Sequence, residues 1–170
     1  DRPGWDGGAV PAEHAIRGIA GVTLLVGDEA PTGAVLEVMG FAPAGREGAL
    51  ARYEAGGDVV DLRVVPGFPR GALGAGIVHH VAFRAGDDAE QATMGEAMAA
   101  LGLHATEQKD RTYFRSTYAR EPGGVLFEVA TDVPGFSVDE APDALGAGLK
   151  LPPQYERHRA DIEAALPALD

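Results

Sequence analysis

Apolar residues come in short bursts along this chain, separated by glycine, aspartate and proline. The first burst, Ile16 to Val26, is rich in β-branched side chains, ends at Gly27-Asp28 and predicts a strand. Asp28 is placed to cap a helix with Pro31 in its first turn. Val35 and Met39 fall on the inner face of that helix, and Gly40 suits its C′ position. Arg52–Tyr53 and Val59–Val65 predict two short strands joined at Gly56-Gly57. Ile77–Arg84, which contains His79 and His80, predicts another strand. Asp87 with Glu90 and Asp88 with Gln91 read as overlapping capping boxes. Met94, Met98 and Leu101 then follow at helical spacing, and Gly102 ends the helix. Tyr113–Ala119 and Val125–Thr131 predict strands around a Glu121-Pro122-Gly123-Gly124 turn. Asp139–Leu145 predicts a short helix. Tyr155, Ile162, Leu166 and Leu169 share one face of a terminal amphipathic helix, expected to pack on the rest.

The two halves overlay. Gly21 falls on His80 at an offset of 59, Gly40 on Gly102 at 62, and Asp61 on Glu128 at 67. Pro66-Gly67-Phe68 falls on Pro134-Gly135-Phe136 at 68. Such tandem similarity predicts two β-α-β-β(-β) modules. One curled sheet with one helix is marginal alone, so two modules are expected to share a core and enclose a cleft. The predicted organisation is an α+β fold. Residues 1–15 form an arm, 16–70 module A, 71–136 module B and 137–170 a helical tail.

Composition narrows the function. The 170 residues carry 14 Lys and Arg against 26 Asp and Glu, a net charge of −12. That balance argues against nucleic acid or an anionic membrane as partner. A chain of this mass can bury about 70% of its unfolded surface, enough for a core without staples. Cysteine is absent, which excludes disulfides, thiolate metal sites and thiol nucleophiles. No apolar run approaches the ~20 residues of a membrane span, and no leader-like start is present. These features fit a cytoplasmic protein. The opening Asp1-Arg2-Pro3 lacks a methionine, which predicts a fragment or a processed product.

Candidate chemistry centres on His79, His80 and Glu128. Adjacent strand residues point to opposite faces, so His79 and His80 are not expected to enter one cleft together unless one lies at an edge. Glu128 is a charge inside Val125-Leu126-Phe127-Glu128-Val129-Ala130, costly to bury unless paired or bound to a metal. Imidazole and carboxylate together suit Fe(II), Mn(II), Ni(II) or Zn(II). The plain alternatives are an ordinary histidine and an edge carboxylate facing solvent. Arg111 could hold an anionic oxygen and Tyr118 could donate to it; both also read as ordinary surface residues. The Gly71–Gly76 run opens no helix after a strand and fails the phosphate-loop context. Ser116 and Ser137 lack a nucleophile-elbow setting.

The strings Gly74 to Arg84, Asp110-Arg111-Thr112-Tyr113-Phe114, and Arg120 to Asp132 followed by Pro134-Gly135-Phe136 resemble a known family. It is the ring-cleaving dioxygenases of the vicinal oxygen chelate superfamily, which also holds glyoxalase I and the bleomycin-resistance proteins. Within it the chain is most similar to the hydroquinone dioxygenases. The resemblance covers roughly residues 16–168. It implies paired βαβββ modules and an Fe(II)-dependent extradiol cleavage of an aromatic ring with O₂ as co-substrate. It also implies that the chain is the C-terminal half of a four-module protein. By position, His80 and Glu128 match two iron ligands. His79, Arg111 and Tyr118 match residues around the substrate oxygens. The third ligand in that branch is a histidine from the first module, so a missing N-terminal half or a partner chain is expected to supply it. In other branches the ligand stands where this chain has Gly21. Asp61, in the position of Glu128, is expected to be structural. Self-association is expected, without a stoichiometry. A Ni(II)- or Zn(II)-dependent glyoxalase-like isomerase or lyase, and a non-catalytic binding module of the resistance type, are the alternatives on the same fold.

Overall fold

The structure, a computed structural model, describes residues 3–5, 7–69 and 71–167. Each half of the chain builds one four-stranded sheet. The first runs β1 (Gly21–Val26), α1 (Glu29–Val38), β2 (Ala42–Glu47), β3 (Leu50–Ala55) and β4 (Asp58–Val64). The second runs β5 (Val81–Ala85), α2 (Asp88–Ala100), β6 (Lys109–Asp110), β7 (Arg115–Arg120) and β8 (Leu126–Thr131). The strand orders are β1-β4-β3-β2 and β5-β8-β7-β6, and the first strand of each sheet pairs parallel to its last. The other pairs are antiparallel.

Register turns the internal repeat into a residue-by-residue equivalence. Thr23 pairs with Asp61, and Asp61 with Arg52. Ala82 pairs with Glu128, and Glu128 with Tyr118. The offsets of 59 and 67 read from the sequence are therefore those of the sheets.

The helices start where capping chemistry places them. Asp28 accepts from the Ala30 N–H, and Asp87 accepts from the Glu90 N–H. The second capping box is not formed. Gln91 turns inward instead and donates to the carbonyls of Arg115 and Val129. It lies within α2, one turn past the cap, so its amide satisfies β7 and β8 rather than the helix end.

One core serves both sheets: Leu24, Val26, Val35, Leu36 and Leu62 join Phe83, Met98, Phe127 and Val129. Phe41 meets Phe83 edge to face at 5.6 Å across the two halves. Thr32 on α1 donates to Glu121 at 2.6 Å, and Glu121 also accepts from the Gly123 and Val125 N–H groups. That buried carboxylate fixes the β7–β8 turn and ties it to the other half.

Several expectations are corrected. The first strand starts at Gly21, because residues 16–20 lie outside any sheet and are exposed. Strand β5 starts at Val81, so His79 and His80 lie in its lead-in rather than in the strand. Strands β2 and β6 were not read from the sequence; β2 is exposed along its whole length and carries no apolar alternation. The 139–145 helix is replaced by single 3₁₀ turns at Phe136–Val138 and Pro142–Ala144.

The terminal helix does not pack on the modules. A 3₁₀ segment, Pro153–His158, precedes a short α3 (Arg159–Ala165) with no buried residue, and Tyr155 and Leu166 stay half exposed. Its order is electrostatic: Arg159 bonds Glu156, Glu163 and the Leu149 carbonyl. Leu169, the last residue of the expected apolar face, lies outside the described residues, as do Asp1 and Arg2. No helix among the described residues is long and apolar enough to cross a membrane.

Candidate metal and substrate site

Strand β8 alternates, and that alternation makes the site. Phe127 and Val129 point into the core, and Glu128 points the other way yet is only 3% exposed. A buried carboxylate needs partners, and Glu128 has two. Tyr118, its cross-strand neighbour on β7, donates to Oε1 at 2.8 Å. His80 Nε2 lies 2.8 Å from Oε2. Tyr118 Oη in turn accepts from Ser116 Oγ at 3.1 Å and Arg111 Nη2 at 3.4 Å. This uses the one donor and both acceptor sites of a phenol. The Arg111 guanidinium lies 5.5 Å from the centre of the Tyr118 ring. His80 meets that ring edge to face.

His79 and His80 approach each other through their Nδ1 atoms at 3.0 Å, so one of the two nitrogens carries the proton. They nevertheless serve different spaces. His80 and Glu128 line a cleft of about 810 Å³ that takes Val22, Met39 and Phe41 from the first half. His79 lines a second cleft of about 740 Å³ with Leu25, Phe68 and Arg120. The expected separation of the two histidines is therefore found, although neither is in a strand. The five sequence candidates form one contact chain: His79–His80–Glu128–Tyr118–Arg111. Ser116 was dismissed as a nucleophile, and it matters here as a donor to Tyr118. Its position two residues before Tyr118 on one strand, and so on one face, was the available signal.

The donor set suits a metal ion only in part. One imidazole nitrogen and one carboxylate oxygen converge at the cleft, each with its other side held by a neighbour, as ligands require. Among the described residues no group of three His, Asp or Glu side chains forms, so His14, His104 and His158 do not join them.

The first half shows why it offers no ligand. Asp61, the counterpart of Glu128, is held by both Arg52 Nε and Nη2, at 2.8 and 2.9 Å. Arg52 thus stands where Tyr118 stands in the other half and fills the acceptor sites with charge. At Gly21, the counterpart of His80, a Cβ would lie 2.6 Å from the Val59 carbonyl oxygen. Any side chain there must push β1 away from β4. Gly21→Ala is expected to cost about 1–3 kcal/mol, as overpacking does, measured as a lower denaturation midpoint; an unchanged midpoint would refute the contact.

The Arg52 hydrogen bonds hold the Asp61 carboxyl below its usual range. A carboxyl whose folded pKa is depressed stabilises the fold above the unfolded value, near pH 4, and loses that contribution as pH falls through the folded value. Arg52→Met is therefore expected to lower the unfolding temperature clearly at pH 7. The gap from the wild type should narrow as acid takes the pH down through the depressed folded value. Thermal melts at pH 7 and in acid below that value check this, and an equal gap at the two would contradict it. Partial burial and the bond to Asp139 raise the Tyr113 hydroxyl above its usual range.

No protein-family model matches the chain. It is 45% identical over 166 residues to a Bacillus subtilis protein named "Putative ring-cleaving dioxygenase MhqO", covering 95% of this chain and 53% of that one. It is 37% identical to the chlorohydroquinone/hydroquinone 1,2-dioxygenase of Sphingobium indicum, covering 89% of this chain and 50% of that one. A Bacillus subtilis crystal structure titled as a dioxygenase of the same provisional standing superposes with a TM-score of 0.91 at 43% identity. It covers 98% of this chain and 55% of that one. Lactoylglutathione lyase from Agrobacterium tumefaciens, 22% identical, superposes with a TM-score of 0.53 over 67% of this chain and 92% of its own, which speaks for the fold alone. The chain spans about half the length of the curated relatives it matches.

Proposed function

Because this chain is homologous to one half of proteins named ring-cleaving dioxygenases and has their glyoxalase-like paired-module fold, we propose that it is the C-terminal, metal-binding half of such an enzyme. The substrate class is a hydroquinone, and the cleavage is of the extradiol type. The observation that carries the reading is the convergence of His80 Nε2 and Glu128 Oε2 on one cleft, 2.8 Å apart.

His80 and Glu128 would hold Fe(II), with a histidine from the remainder of the protein as third ligand. Iron held there would supply a place for the substrate oxygen and O₂ to meet. Both atoms of O₂ enter the ring-opened product as one ring C–C bond breaks, so no external reductant is needed. The chain's own residues prepare that place. Tyr118 fixes the free carboxylate oxygen of Glu128, and Ser116 and Arg111 fix Tyr118. His79 orients the His80 ring through Nδ1, as partners of ligating imidazoles do. Arg111 adds positive charge beside Tyr118, where negative charge on a substrate oxygen would be favoured.

The test uses the intact protein, loaded with Fe(II) without oxygen and then given hydroquinone and O₂. One O₂ consumed per ring opened is expected. Turnover without O₂ would overturn the reading in favour of an isomerase or lyase. Binding of the aromatic without turnover would select a sequestering module, the reading favoured by the incomplete ligand set among the described residues.

A further inference from the structure

We infer that Phe136, with Phe114 beside it, is a braced aromatic platform that holds the substrate ring against the His80–Glu128 site. The inference rests on the ring-cleavage reading and names a specificity residue for it. Both phenylalanines line the same cleft as His80 and Glu128. Their ring centres lie 6.4 Å apart. Phe136 is 61% exposed, so its ring is open to a ligand in the cleft.

Yet that ring is held firmly from behind. Tyr113 stacks on it at 5.2 Å with planes 22° apart. The Tyr113 hydroxyl donates to Asp139, and the Gly135 N–H donates to the Tyr113 carbonyl. The brace therefore ties the segment after β8 to the turn before β7 on both sides of the ring.

That turn carries strain. Thr112 has φ +71°, a left-handed conformation that a β-branched residue rarely adopts. It is pinned by the Asp110 carboxylate on the Thr112 N–H and by the Arg111 N–H on the Phe114 carbonyl. Strain of this kind persists where the surroundings over-determine it, and it clusters at binding sites. Here one strained residue separates two tasks. Arg111 turns towards Tyr118 and Glu128, while Tyr113 and Phe114 turn towards Phe136. The turn thus couples the position of the carboxylate ligand to that of the platform. A flat ring offered to a phenyl face is recognised by offset or edge contact without a hydrogen bond. Ile19, Val22, Phe41 and Val59 add apolar wall to the cleft, and Arg84, paired with Asp132, lies between the platform and the metal-site residues. The geometry therefore takes a planar aromatic with its oxygen directed at His80 and Glu128.

The test compares Phe136→Tyr with Phe136→Leu in the intact protein. Fe(II) uptake is read first, then the Kd for hydroquinone without oxygen, then KM and kcat with oxygen. Phe136→Leu is expected to keep iron uptake and weaken both Kd and KM about three- to tenfold, the scale of one aromatic pair, with kcat changed less than twofold. Phe136→Tyr keeps the ring and should stay within about twofold of the wild type. Phe136→Leu matching the wild type, or the two variants weakened alike, would overturn the platform while leaving the ring-cleavage reading intact. Failure of the iron-loaded wild type to bind hydroquinone would overturn that reading and the platform together.

Discussion

Alanine at His80 or at Glu128, introduced into the intact protein, is expected to abolish retention of Fe(II) and O₂-dependent ring opening. The two side chains both line the cleft and touch each other at 2.8 Å, which places them to share one ion. Removing either leaves one donor from this half, which cannot hold a divalent ion against water. The loss should exceed the ~10–100-fold typical when a residue that only orients a ligand is removed. Tyr118→Phe belongs to that milder class. It leaves Glu128 in place and deletes the hydroxyl that fixes Oε1. Iron per chain after anaerobic loading and desalting separates the three variants, with an oxygen electrode as second readout. Stoichiometric iron in both alanine variants would sink the site, whatever the activity.

Phe127→Ala is the second large effect, and it concerns the fold. Phe127 is 1% exposed, packs on Phe83 with ring centres 4.8 Å apart, and belongs to the core shared by both sheets. Truncating a buried phenylalanine costs about 3–5 kcal/mol, because the cavity does not close fully. For an intact protein of about twice this chain's length that corresponds to a fall of roughly 4–7 °C in midpoint. Calorimetry of the intact protein measures it, and a fall of under ~3 °C would show that the residue is not in a core. Phe127 faces away from Glu128, so well below the midpoint iron uptake should stay within a few-fold of the wild type. One strand residue then reads out packing and the next reads out chemistry.

Much of this fold is legible in the sequence. The repeat offsets at Gly21/His80 and Asp61/Glu128 reappear as sheet register, because the hydrophobic alternation of each strand fixes which residues face the core and so how the strands pair. Asp28 and Asp87 cap their helices, since capping depends on chemistry a few residues away. Strand β2 was not legible. It sits at a sheet edge, is exposed throughout, and therefore carries no apolar alternation to detect. Gln91 was misread because a polar residue near a helix start resembles a cap, whereas two distant carbonyls claimed its amide. The terminal helix has an apolar face in sequence, but none of its described residues is buried, because the face is not packed into the shared core.

Residue spacing alone carried the two like halves, and His80 and Glu128 stood out as candidates because a histidine pair and a charge inside an apolar strand matched a family resemblance. Tertiary structure decided the rest. It alone brought residues 48 apart in the chain to 2.8 Å, directed His79 to a different cleft from His80, and filled the Asp61 position with Arg52. It also closed Gly21 to any side chain. Each of these is a contact between segments distant along the chain, set by register and packing, which no local pattern encodes.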